Sequence, residues 1–250
     1  MKVLVCISNV PDTETKIRIT PDGSSVNISA IKWVINPWDE LALTRAVELK
    51  KEHPHLIESI TVVTVGKTET VYNLRKALAM GADKAIQIDA VPHDAWFVAR
   101  QISEIIKRDS FDIVLTGIES SDFNGNAVGY MIAGLTEYVC ISNVSSIVIE
   151  DNLFVIERET EGGKEKLEAE VPFIAVIQNG VASAPGIPSL PGVLRARNKP
   201  VEVIQPVKED QLIEYNNYEL PVLKRECILI ASTDIYDWVK KLYYEADLKF

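Results

Sequence analysis

The sequence predicts an α/β protein built on a doubly wound, mainly parallel sheet, with an antiparallel hairpin region and a C-terminal arm. Three observations carry this. Short apolar runs recur at 3–7, 59–65 and 113–115, as expected of strands buried on both faces. Segments with helical spacing of apolar residues separate them. After residue 140 the chain turns to strand-like stretches joined by a Gly-Gly turn, which reads as antiparallel pairing.

The elements follow in order. Residues 16–19 and 26–28 flank Pro21-Asp22-Gly23, a turn signal, and read as a small exposed hairpin. Asn36-Pro37-Trp38-Asp39 reads as a helix start: Asn36 can cap, Pro37 suits the first helical position, and Asp39 follows three residues after the cap. That helix extends to about residue 51, ahead of His53-Pro54. A helix over 68–80 follows the strand at 59–65, and Gly81 stands where a left-handed cap belongs. After a short strand at 85–88, Ala95, Val98, Ala99, Ile102, Ile105 and Ile106 line one face of a helix near 94–108. The strand at 113–115 closes at Thr116-Gly117, and Val128, Met131, Ile132 and Leu135 mark the next helix. Ligands on such sheets bind beyond the carboxyl ends of the strands, at the switch point.

Residues 144–149, 153–159 and 166–171 read as antiparallel strands, and 173–177 as one more apolar strand. Residues 179–200 hold Gly180, Pro185, Gly186, Pro188, Pro191, Gly192 and Pro200 and read as a long functional loop. The tail is polar and irregular apart from a strand at 227–230 and a helix near 234–244. The expected division is one α/β domain over 1–205, loop included, and an arm over 206–250.

Composition narrows the function. The chain has 250 residues and a net charge of −10. Residues 1–100 carry 12 acidic and 12 basic side chains, whereas 111–170 carry 12 acidic side chains against Arg158, Lys164 and Lys166. Residues 171–200 have no acid and carry Arg195, Arg197 and Lys199. This balance argues against nucleic acid, whose backbone needs clustered cations. No apolar run approaches a membrane span, and the N-terminal run shows no cleavage site. Cys6, Cys140 and Cys227 form no CxxC pair and read as reduced thiols of a cytoplasmic protein.

Catalytic and metal signals are scarce. The histidines are His53, His55 and His93, all in predicted surface positions. HExxH, GxSxG, a Walker loop and a GxGxxG after the first strand are all missing. The best small-molecule signal runs from Gly117 through Asp122, Phe123, Asn124, Gly125, Asn126, Ala127 and Val128 to Gly129. It joins the carboxyl end of a parallel strand to a helix start, where free N–H groups and the helix dipole can hold a phosphate. A plain capped connection explains the same spacing. The start at Asn36 is a second such place, with capping alone as its other reading.

Several motifs together resemble the electron transfer flavoprotein beta subunit family. They are Val3-Leu4-Val5-Cys6, Lys16-Ile17-Arg18, Asn36-Pro37-Trp38-Asp39-Glu40, the run from Arg75 to Asp83, the run from Asp122 to Gly134, and Ser189-Leu190-Pro191-Gly192. The resemblance covers nearly the whole chain. It implies a Rossmann-like fold of the adenine-nucleotide-binding type, a structural AMP in this subunit, and an alpha subunit holding most of a redox-active FAD. It implies an electron carrier without catalytic side chains of its own, taking electrons from acyl-CoA-type dehydrogenases and passing them to a quinone-reducing or other acceptor. The implied AMP site includes Cys6, Asn36 to Asp39, Val65 and the segment from Asp122 through Met131 and Ile132 to Ala133. The implied docking group is Leu190 with Pro191, and Arg195 and Arg197 are placed to steer acidic partners.

Two departures stand out. Ser183-Ala184-Pro185-Gly186 lacks the arginine of the family loop, and Ala127-Val128 replaces the family's Thr/Gln pattern before Gly129. Phosphate contacts would then fall to backbone N–H groups and the asparagines, and a second FAD in place of AMP stays open. The competing readings are an ATP pyrophosphatase, which needs a Ser-Gly-Gly loop where Ser8-Asn9-Val10-Pro11 stands, and a stress-protein-like nucleotide sensor, which leaves residues 179–250 unexplained.

Overall fold

A computed structural model describes residues 1–221 and 234–244. The first strand, β1 (Lys2–Cys6), leads to the short strands β2 (Asn9–Pro11) and β3 (Trp33–Ile35). Then come α1 (Pro37–Glu52), β4 (Ser59–Val65), α2 (Val71–Met80), β5 (Lys84–Ile88), α3 (Ala95–Asp109), β6 (Ile113–Gly117) and α4 (Val128–Thr136). The second half adds β7 (Val139–Glu150), β8 (Leu153–Thr160), β9 (Gly163–Ala169), β10 (Phe173–Ile177), α5 (Leu190–Asn198), β11 (Val201–Ile204) and α6 (Ile235–Tyr244).

Among the described residues, one nine-stranded sheet runs β11-β5-β4-β1-β6-β10-β7-β8-β9. Pairing is parallel from β11 to β7 and antiparallel over β7-β8-β9. This is the mainly parallel, Rossmann-like α/β sheet that the sequence predicts. Strand alternation makes two cores from one sheet. Val3 and Val5 pack with α1 and α2 on one face, and Leu4 and Cys6 pack with α3 and α4 on the other. The chain winds from β1 outward through β4 to β5, then returns to place β6 on the other flank of β1. The switch point therefore lies between β1 and β6.

Local chemistry explains most boundaries. Pro37 opens α1, and Lys50 and Lys51 sit in its last turn, where cations suit the helix dipole. Asp94 caps α3 by accepting from Phe97 N at 2.7 Å. Gly81 ends α2 with φ 140, and Gly163 closes the β8-β9 turn with φ 142.

The structure corrects four expectations. The hairpin proposed at 16–28 is a single bridge between Ile19 and Val26. The true ladder is β2 with β3, and residues 12–32 are its long excursion. Residues 179–200 are not all loop: α5 begins at Leu190, and Ser189 caps it by accepting from Gly192 N at 3.2 Å. Pro191 lies within the first turn, where a missing N–H costs nothing, so its breaker character misleads. Residues 201–204, read as irregular tail, form the edge strand β11 beside β5. Their exposed Glu202 and Val203 reflect an edge position rather than a lack of structure. Finally, β7 starts at Val139, because its first residues pair parallel with β10 before a bulge turns the strand to β8. The helix expected near 234–244 is α6; the strand expected at 227–230 lies outside the described residues.

Candidate functional site

The carboxyl ends of β1, β4 and β6 meet at the switch point, and side chains from the start of α1 tie them together. Asp39 is 3% exposed. Its Oδ2 accepts from Ser8 N after β1 at 2.7 Å, and its Oδ1 accepts from Gly117 N at the end of β6 at 2.8 Å. Burial pushes the Asp39 carboxyl up to about 6, against the opposing pull of the N–H groups of Ser8 and Gly117 and of the Asn36 amide. Cys6 lies at the end of β1, and burial, with Asp39 as a smaller cause, raises its thiol well above the usual range. It is a protonated wall of the site at neutral pH rather than a nucleophile.

Asn36 is fully buried and does not cap α1 with its side chain, contrary to the sequence expectation. Its Nδ2 donates to Glu119 O at 2.8 Å, and its Oδ1 accepts from Ser121 N at 3.1 Å. Both amide ends thus hold the connection from β6 to α4, which costs the helix cap but satisfies a buried side chain. Gly117 makes room for this knot. A Cβ there would overlap Asp39 Oδ1 and lie 2.9 Å from Trp38 Cβ and 3.1 Å from Asn36 Nδ2.

The connection beyond Ser121 opens to solvent. Asp122, Phe123, Asn124, Gly125 and Asn126 are exposed. Asn124 and Asn126 adopt positive φ, 50 and 41. Phe123 N and Asn124 N are spent within the loop, on Asp122 Oδ1 at 3.0 Å and Ser120 O at 2.8 Å, so the donors left for a ligand are those that follow Asn124. No side chain caps α4 at Ala127, so the first-turn N–H groups of Val128 and its neighbours keep their capacity for an acceptor. Gly129 is buried against β6 and β10, where a Cβ would lie 2.5 Å from Thr116 Oγ1 and 2.9 Å from Val176 Cγ2. Ile132 is fully buried in the core below, with Met131 partly buried beside it. Pro37 is exposed at the rim, Trp38 is half-buried, and Val65 ends β4 at the same carboxyl edge of the sheet, on its α3-α4 face.

The structure therefore gathers Cys6, Asn36 to Asp39, Val65 and the stretch from Asp122 to Ile132 at one sheet edge. Three further buried residues near this edge have weaker sequence signals. Gln87, 4% exposed in β5, donates from Nε2 to Gly66 O and Lys67 O, both at 2.9 Å, and fixes the turn after β4. A lone amide in an apolar strand was the available hint. Thr116 is buried beneath α4, and its Oγ1 has no partner among the described residues. Asp94 reaches beyond its own helix to accept from Leu212 N at 2.6 Å and Ile213 N at 2.9 Å. Burial raises the carboxyl of Asp94, but the N–H groups of Phe97, Leu212 and Ile213 outweigh it and hold the group below its usual range.

Leu190, Pro191, Arg195 and Arg197 are not part of this cleft. They lie on α5, which packs on α2: Arg75 Nη1 donates to Ala196 O at 2.8 Å and also to Lys199 O. Gly186 N donates to Thr44 Oγ1 at 2.8 Å and ties the preceding loop to α1. Leu190 is 74% exposed and Ile187 is 92% exposed.

Fold and site together define a Rossmann-like α/β protein whose open connection and helix start stand at the switch point of the sheet. The comparisons agree with this and narrow it. A model of the electron transfer flavoprotein domain matches residues 25–209. The Bacillus subtilis electron transfer flavoprotein subunit beta is 33% identical over 209 residues, 82% of this chain and 79% of that protein. The human subunit beta is 31% identical over 211 residues, 82% of each chain. The mitochondrial subunit beta of Arabidopsis thaliana is 29% identical over 257 residues, 98% of this chain and 99% of its own. The chain belongs to the electron transfer flavoprotein family, as a relative of its beta subunits. Among the described residues no helix is long and apolar enough to cross a membrane.

Proposed function

We propose that this chain is the beta half of a heterodimeric electron transfer flavoprotein, binding AMP as a structural ligand and pairing with an alpha subunit that holds the FAD. The observation that carries this is the β6-α4 connection. It is anchored underneath by Asn36 and Gly117 and open above, and it ends at an uncapped helix start. The donor set fits a phosphate through backbone N–H groups and the Asn124 and Asn126 amides. Asn36 and Asp39 have their polar atoms committed to the protein. Their role is to shape the cleft, while Cys6 and Val65 supply apolar walls for a base. The FAD supplies the redox chemistry, and this chain positions nucleotide and partners.

In this reading electrons come from acyl-CoA-type dehydrogenases and go on to a quinone-reducing acceptor, within the cytoplasm. The domain over 1–205 carries nucleotide and docking face, the arm covers 206–250, and its helix α6 is the part offered to the alpha subunit. The exposed Ile235, Trp238 and Val239 of α6 suit a covered surface. Leu190 is the docking anchor, with Ile187 and Leu194 exposed nearby and Arg195 and Arg197 on the same helix.

The test is to co-express the chain with its alpha partner and identify the nucleotides released on denaturation. A yellow heterodimer yielding AMP and one FAD is expected. Two FAD and no AMP would overturn the AMP assignment, and failure to form a yellow heterodimer would overturn the whole reading.

A further inference from the structure

We propose that residues 206–218 are a strap that retains the nucleotide, with Asp94 and Tyr215 as its positioning residues. This rests on the reading that an adenine nucleotide occupies the cleft. The strap leaves β11 at the far edge of the sheet and ends beside the excursion that follows β1. Its contacts run from the middle of α3 back to the start of that helix, then to the β6-α4 connection and to Gly23.

Its fastenings sit on both banks of the cleft. On the α3 bank, Val207 and Gln101 exchange two hydrogen bonds, at 2.8 and 2.9 Å. Glu209 accepts from Trp96 Nε1 at 3.1 Å and from Arg100 Nε at 3.3 Å. Asp94 takes both Leu212 N and Ile213 N on one carboxylate oxygen. On the opposite bank, the Tyr215 ring lies 5.2 Å from that of Phe123, within the open β6-α4 connection. Tyr218 N donates to Gly23 O at 2.9 Å in the excursion.

The strap thus joins the loop that would hold the phosphate to the helix start across the cleft. A nucleotide leaving its site meets both the strap and the loop it restrains. Asp94 spends one oxygen on the α3 cap and the other on the strap, so the two duties are separable. Asp94→Ser keeps a short capping oxygen and is too short to reach the strap. Tyr215→Ala removes the aromatic contact and leaves α3 untouched.

The experiment loads the full chain, with its partner subunit where they co-purify, with radiolabelled AMP and follows release during a chase with unlabelled AMP. Limited proteolysis of residues 206–218 is measured in parallel. Asp94→Ser is expected to release AMP about tenfold faster or more, the scale of losing a charged hydrogen bond, and Tyr215→Ala about fivefold faster, the scale of losing an aromatic pair. Cleavage within the strap should rise with Asp94→Ser at unchanged helix content. Release within twofold of the wild-type rate in both variants overturns the strap while leaving the nucleotide reading intact. A wild-type chain that retains no AMP overturns the reading itself, and the strap's retention role with it.

Discussion

The switch-point cleft and the α5 flank are built on opposite plans. At the cleft, buried polar side chains bind backbone: Asn36 holds Glu119 and Ser121, Asp39 holds Ser8 and Gly117, and Gln87 holds Gly66 and Lys67. Each of these bonds fixes a loop that would otherwise move, and each side chain is under a tenth exposed. On the flank, Leu190, Ile187 and Leu194 face solvent, and the helix is held from behind by Arg75 and the Gly192 approach to α2. A site that must keep one shape is fastened by buried polar groups, whose loss leaves costly unsatisfied partners. Exposed apolar groups on a helix held from behind are what the proposed docking role of this flank needs.

The comparison breaks first at Gly117. Gly117→Ala forces a methyl into Asp39, Trp38 and Asn36 at once, a cost of about 2–3 kcal/mol with loss of AMP binding. Urea unfolding and nucleotide retention measure it, and a fully stable, AMP-binding variant would show that the knot is looser than its packing. Asn36→Ala comes next. It strands Glu119 O and Ser121 N, and about 2 kcal/mol should be lost, with the β6-α4 connection more open to hydrogen exchange.

These two positions also show what the sequence could tell. The strand at 173–177, the strand at 59–65 and the helix near 94–108 are legible because their apolar patterns agree with the tertiary environment. The Asn36-Pro37 helix start is legible too, but the use of Asn36 is not. Its side chain leaves its own helix for a loop more than 80 residues away, a choice set by tertiary packing that no local pattern records. The same holds for Asp94 and its partners near residue 212. The helix α5 is not legible because Pro191 and Gly192 have opposite meanings inside a helix and in its first turn. That these residues share one sheet edge is legible because loops after parallel strands converge at the switch point, whereas their hydrogen bonds are not.

A smaller effect tests the electrostatics of the cleft. Asp39 has a folded-state value near 6, above that of an unfolded aspartate. The folded chain therefore holds this proton at pH values where the unfolded chain has lost it. The group's contribution to stability is greatest at low pH, declines as pH rises from about 4, and levels off above about 6. Unfolding measured between pH 4.5 and 7.5 should show this slope in the wild type and lose it in Asp39→Asn. Identical slopes would mean that the carboxylate is solvated in spite of its burial.

The smallest effect on stability is expected at Leu190, and it is the most discriminating. Leu190→Ala removes a side chain that is 74% exposed. Its cost to the fold should stay within about 0.5 kcal/mol, with α5 still capped by Ser189. If the flank is a docking face, the same change should slow electron transfer from an acyl-CoA-type dehydrogenase severalfold or more, because small interfaces concentrate their energy in few anchors. Nucleotide content should not change, since Leu190 is outside the cleft. Stopped-flow reduction of the heterodimer by the dehydrogenase separates the outcomes. A slow variant with intact AMP and FAD fits a free apolar anchor. An unchanged rate would remove Leu190 from the docking face, and with it the claim that flank and cleft serve different ends.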